Sequence, residues 1–124
     1  MIEINKNYNE SNLVTMKKMP DCFVDLTVTS PPYDNLRDYK GYSFPFEDIA
    51  NELYRITKQG GVVVWVVKDA TVNGNKSLTS FKQCLYFQSI GFKFFENSSI
   101  SSSVNPLNII FFLAFNFNKQ TSVI

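Results

Sequence analysis

The tetrapeptide Ser30-Pro31-Pro32-Tyr33 is where residue types and spacing in this chain point most directly to chemistry. The Ser30 hydroxyl oxygen and the Pro31 carbonyl are adjacent hydrogen-bond acceptors. Aimed at a planar exocyclic amine, whose lone pair is delocalised into its ring, two such acceptors take the N–H groups and draw the nitrogen toward tetrahedral geometry. The freed lone pair can then attack an electrophilic methyl. The prolines hold the backbone extended, and Tyr33 offers a ring face for stacking a base lifted from a duplex. The competing reading is a plain turn in which Ser30 caps and Tyr33 packs. Placement favours chemistry, because the motif follows the β-branched run 23–29 and ligands of open α/β sheets bind outside the strand C-termini.

Composition narrows the alternatives. The chain has 124 residues, 44% of them apolar, enough for one domain with a core, and no histidine, which excludes Ser-His-Asp and Cys-His catalysis, His-liganded metals and His proton shuttles within it. Binding an amine with two acceptors and a ring needs none of these. Cys22 and Cys84, far apart in apolar stretches, read as buried thiols, not as a disulfide or zinc framework. A formal charge of +1 speaks neither for nor against a nucleic-acid partner. The N-terminus carries no signal-peptide core, and the longest apolar run, 109–115, is far short of the ~20 residues that span a bilayer. A soluble, cytoplasmic protein with no membrane partner is expected.

The elements that must position the motif alternate in type. Residues 2–4 read as a short strand, and 13–19 as a helix with Ser11 or Asn12 as N-cap and Pro20 as its stop. Residues 23–29 form the next strand, which the two prolines end. In 46–57, Ile49, Leu53 and Ile56 share one helical face, with acids early and Arg55 and Lys58 late, and Gly60-Gly61 reads as the stop. Residues 62–67, Val-Val-Val-Trp-Val-Val, predict a central strand covered by helices on each face. A helix over 78–90 carries Phe81, Leu85 and Phe87 or Gln88, with Gly91 just beyond it, and 92–95 resumes as a strand. This order predicts an α/β fold with a mainly parallel sheet and helices on both faces. The stretch 109–117 reads equally as a strand or as an exposed tail.

The run from Asp25 through Ser30-Pro31-Pro32-Tyr33-Asp34-Asn35-Leu36-Arg37-Asp38-Tyr39 resembles the catalytic motif of the S-adenosylmethionine-dependent DNA amino-methyltransferases, the cytosine-N4/adenine-N6 family. The likeness extends upstream into Met16-Lys17-Lys18-Met19-Pro20-Asp21 and downstream through Glu52-Leu53-Tyr54-Arg55 and Lys58-Gln59-Gly60-Gly61-Val62-Val63-Val64-Trp65. It implies a partial Rossmann-like methyltransferase sheet, DNA as partner and S-adenosylmethionine as cofactor. By the same resemblance Ser30 and Pro31 bind the target amine, Pro32 completes the motif and Tyr33 stacks on the flipped base. Serine in first place is more common among the cytosine-N4 enzymes, so cytosine is slightly preferred over adenine.

Two loops are candidates to complete such a site. Residues 34–43 interleave Arg37 and Lys40 with Tyr39 and Tyr42, which suits phosphate contact and base stacking, although a solvated loop has the same composition. Residues 68–76 follow the central strand and open on the edge that carries Ser30. Asp69 within them either orders the site or caps the next helix.

One expected part is missing. The family's cofactor loop is Phe-x-Gly-x-Gly, and the five glycines of this chain never occur as Gly-x-Gly. Nor does 8–12, Tyr-Asn-Glu-Ser-Asn, match the Asp-containing turn expected there. Charge also breaks abruptly: 22 of the 23 charged residues lie in 1–96, and 97–124 hold only Lys119. These features predict a catalytic-motif portion over 1–96 and a low-charge tail over 97–124, either poorly ordered or out of frame. The chain then belongs to a truncated or split enzyme, inactive alone, with a second chain supplying the cofactor loop and the target-recognition region. The alternative is a catalytically silent DNA-binding or subunit-interaction module on the same fold.

Overall fold

A computed structural model describes residues 2–32, 44–94 and 109–116. The elements run α1 (Asn12–Lys17), β1 (Val24–Thr29), α2 (Phe46–Ile56), β2 (Thr57–Lys68), β3 (Thr71–Val72), β4 (Asn75–Lys76), α3 (Thr79–Ile90) and β5 (Ile109–Phe115). The fold is α/β, and its main sheet has the order β1-β2-β5. β1 runs parallel to β2, with Thr29 opposite Trp65, and β5 runs antiparallel on the other side, with Phe112 opposite Trp65. Residues 109–115 are thus a strand. The bond from Gly60 N to Asn116 O and that from Asn116 N to Gly61 O (2.6 and 3.0 Å) secure its end. The buried Asn116 amide also donates to Thr57 O at 2.7 Å.

The core lies on one face of this sheet. Val63, Trp65 and Val67 of β2 are buried against Ile49, Ala50, Leu53 and Ile56 of α2 and against Phe87 of α3. Leu26 and Val28 point to the opposite face and are 58% and 66% exposed, while Val62, Val64 and Val66 beside them are half-buried. The double-sided cover predicted for 62–67 is therefore not supplied by the described helices. β2 alternates because α2 and α3 both pack against the Trp65 side.

Local chemistry sets the joints. Ser11 precedes α1 but makes no side-chain cap. Instead the Glu10 carboxylate receives Thr15 Oγ1 (2.9 Å) and Lys18 Nζ (2.6 Å), bonds that hold its pKa below the usual range. The far end of α1 is tied to α2 by Arg55, which donates to Met16 O (2.7 Å), Met19 O (2.9 Å), Asp21 (2.8 Å) and Glu52 (2.8 Å). The two carboxylates raise the pKa of the guanidinium further.

Several expectations are corrected. Residues 2–4 are not a strand. Of 92–94, Lys93 makes an isolated bridge only. Gly60-Gly61 does not stop α2. That helix ends at Ile56, β2 begins at once, and the glycines lie in a bulge where the register jumps from Val24↔Thr57 to Leu26↔Val62. A Cβ on Gly61 would stand 2.8 Å from Lys58 O and 3.1 Å from Asp25 O, so the close strand approach requires glycine. Cys22 is exposed and not in the core, because it stands at a turn with φ of 53° ahead of β1. Cys84 is partly buried, and burial raises its thiol pKa.

Candidate functional site

Ser30 is the first residue after β1, at the carboxyl edge of the parallel pair. It is exposed, Pro31 is buried and Pro32 is half-buried. All three line a cavity of about 540 Å³ together with Thr29, Phe44 and Trp65. That volume lies in the range of small-molecule sites. The strand ends at the prolines because neither has an N–H to donate onward. Ser30 and Pro31, the two acceptor-bearing residues of the motif, thus both border this cavity.

Phe44 and Trp65 give the cavity an aromatic lining. Trp65, 1% exposed, lies 6.1 Å from the Phe44 ring and 5.7 Å from Phe46, and Phe87 closes on it at 5.1 Å. The Trp65 indole N–H donates to Gln83 Oε1 at 2.9 Å, which fixes the ring and satisfies its only donor. Sequence reasoning missed Phe44 and Trp65 as walls. Trp65 announced itself only as a strand residue, and its lateral alignment with Thr29 is a matter of register.

Asp69 is resolved between its two expected roles. Its carboxylate accepts Ser80 N at 2.8 Å and Ser80 Oγ at 2.7 Å, so it caps α3 from outside the helix. This replaces the missing cap at Leu78, which has φ of 58° and no side-chain bond. The segment 68–76 is not a simple loop, since β3 and β4 pair as a small ribbon across Asn73 and Gly74. The Asn73-Gly74 pair after Thr71-Val72 was a usable signal for its turn.

The described glycines do not form a cofactor cradle. Gly60 and Gly61 lie in the bulge at the amino end of β2, opposite the Ser30 edge, and Gly74 turns the ribbon. Gly91 follows α3, and a Cβ there would be 2.6 Å from the Tyr54 hydroxyl. Among the described residues no cluster of His, Cys, Asp or Glu could hold a metal, and no described helix is long and apolar enough to cross a membrane. Tyr33, Arg37, Tyr39 and Lys40, singled out in the sequence, lie outside the described residues.

Comparison with known proteins places these features. The family model described as DNA methylase, covering N6 and N4 enzymes, matches residues 24–123. The chain is 54% identical over 105 residues to the orphan methyltransferase M.BamHII of Bacillus amyloliquefaciens, covering 80% of this chain and 40% of that protein. It is 35% identical over 71 residues to the type II methyltransferase M.BglII of Bacillus subtilis, covering 52% of this chain and 19% of the other. Among solved structures it resembles TTHA0409 of Thermus thermophilus, assigned as a DNA modification methylase, with TM-score 0.65 and 21% identity over 86% of this chain and 51% of that one. That protein has also been solved with S-adenosyl-L-methionine. The cytosine-N4-specific PvuII DNA methyltransferase superposes with TM-score 0.57 and 17% identity over 87% of this chain and 47% of its own. These two likenesses establish a Rossmann-like methyltransferase fold. The chain spans about half the length of these structures and 40% of M.BamHII.

Proposed function

The chain belongs to the DNA methylase family, and on that premise we propose that it forms the base-amine side of a DNA methyltransferase site. The observation that carries the reading is the placement of Ser30-Pro31-Pro32 at the carboxyl end of a parallel strand, on the rim of a cavity walled by Phe44 and Trp65. Ser30 Oγ and the Pro31 carbonyl each accept one N–H of the exocyclic amine of a flipped base. That arrangement orients the amine and localises its lone pair for attack on a methyl group. Tyr33 stacks on the base, and Arg37, Tyr39 and Lys40 contact the flanking DNA. Cytosine N4 is favoured slightly over adenine N6, since Ser30 stands where an aspartate is the other common choice. The setting is the cytoplasm, where the DNA substrate is.

The methyl donor in this reading is S-adenosylmethionine. The described residues do not offer the glycine-lined approach it needs, so the donor side comes from a stretch of the relatives' length that this chain does not match, on the same or a second polypeptide. A second reading, a catalytically silent DNA-binding or subunit-interaction module, is favoured by that same absence and by the open Leu26/Val28 face.

Calorimetric titration with S-adenosylmethionine, with and without a polypeptide carrying the unmatched remainder of M.BamHII, separates the two. Heat that appears only in the presence of that remainder supports the methyltransferase reading, and none in either case supports the silent module. In the reconstituted enzyme, Ser30→Ala and Tyr33→Ala are each expected to lower the methylation rate by roughly a hundredfold, the scale of losing one transition-state contact. Methylation at the unaltered rate in both variants would remove the assigned roles.

A further inference from the structure

None of residues 71–76 lines the Ser30 cavity, yet the ribbon they form is built as a rigid projection. Its base is pinned three times: Ser77 N donates to Ala70 O at 2.8 Å, Ala70 N donates to Ser77 Oγ at 3.2 Å, and Asp69 holds Ser80. Its turn uses the left-handed conformations of Asn73 (φ 52°) and Gly74 (φ 79°), the geometry that matches the twist of a two-residue hairpin. Beyond that base every residue from 71 to 76 is exposed.

Position and chemistry both bear on what this ribbon meets. β1 and β2 are parallel with Thr29 level with Trp65, so the ribbon leaves the same edge as Ser30. It departs beyond Lys68, three residues past that level, roughly 10 Å further along the strand direction. Its side chains include two amides, Asn73 and Asn75, and Lys76, with no carboxylate. Lys68 stands before it and Lys82 in the first turns of α3. Among the described residues none of these three lysines is paired with an acid, and the nearest acid in sequence, Asp69, is committed to Ser80. A protein partner would favour an apolar or aromatic tip, whereas this tip has Val72 as its single apolar side chain. A two-stranded ribbon carrying amides and a cation fits a groove of duplex DNA.

We propose that residues 71–76 are a DNA-contacting finger beside the amine site, with Lys76 on a backbone phosphate and Asn73 and Asn75 toward the groove. This rests on the reading that the chain acts on DNA. The test is fluorescence anisotropy of a labelled duplex titrated with the chain over a range of salt. It compares the natural sequence, Lys76→Ala, Asn73→Gly, and Lys17→Ala near Arg55 at the opposite edge. Loss of one phosphate contact is expected to reduce the slope of log affinity against log salt by about 0.9 in Lys76→Ala and to leave it unchanged in Lys17→Ala. Asn73→Gly keeps the turn and removes the amide, so it is expected to weaken binding roughly fivefold or more at fixed salt with the slope unaltered. Binding by the natural chain with equal slopes in Lys76→Ala and Lys17→Ala would overturn the finger alone. No binding by the natural chain at any salt would overturn the DNA reading, and the finger with it.

Discussion

Helices α2 and α3 pack on the same face of β2 but are held there by opposite kinds of contact. α2 buries Ile49, Ala50, Leu53 and Ile56 and keeps Glu47, Asp48 and Asn51 outside, the ordinary division of an amphipathic helix. α3 buries Ser80, Gln83 and Phe87, while Phe81 and Leu85 stand 57% and 64% exposed. Two of its three buried side chains are polar, and each has a partner from β2 or just beyond it: Asp69 for Ser80 and the Trp65 indole for Gln83. Hydrophobic burial places α2, whereas polar partners that are costly to leave unpaired set the rotation of α3. Phe87 supplies the apolar anchor.

That contrast can be broken most sharply on the α2 side. Leu53→Ala leaves a cavity among buried side chains, and about 2–5 kcal/mol of stability is expected to be lost, read by chemical denaturation. Asp69→Ala is expected to cost less, about 1–3 kcal/mol, because it strips Ser80 N–H and Oγ of their acceptor. The loss should be local to α3. Cys84 of α3 is partly buried and burial raises its thiol pKa, so loosening of the helix should raise its thiolate fraction and its exposure at pH 8. The variant should speed labelling of Cys84 while exposed Cys22 reacts at an unchanged rate. If both cysteines accelerate together, α3 is not held separately. The smallest effect belongs to the outer face of α3, where Phe81→Ser should change stability by no more than about 0.5 kcal/mol. A loss comparable to that of Leu53→Ala would show that α3 is rotated from the orientation described.

How much of this was legible follows the same division. The α2 face was readable from the spacing of Ile49, Leu53 and Ile56, because a helix that buries one apolar stripe writes its period into the sequence. The inward face of α3 was not, since Phe81 and Leu85 read as core until Asp69 and Trp65 are placed beside it. The Ser30 site shows the same split. Its position after a β-branched run and before two prolines was evident, but the walls formed by Phe44 and Trp65 depend on the alignment of β1 with β2. The bulge at Gly60-Gly61 escaped notice because two glycines after a helical pattern suit a helix stop equally well. The low charge of 97–124 suggested a tail either poorly ordered or out of frame, and within it 109–115 pairs along β2. An apolar, uncharged composition is what a strand of the main sheet also requires.

By itself the sequence determined the reagents: a hydroxyl, a carbonyl and an aromatic ring in one rigid tetrapeptide, no histidine, and no Gly-x-Gly. It also determined where the helices and the two parallel strands begin and end, to within a few residues outside the bulge. Both follow from local causes, the covalent restriction of proline and the periodicity of burial. Only the tertiary structure decided which face of each element turns inward and what stands across from Ser30. Those outcomes depend on register and on partners many residues apart, such as Thr29 with Trp65 and Asp69 with Ser80. Such contacts become favourable only when the chain brings both groups out of water together, and no local pattern records that pairing.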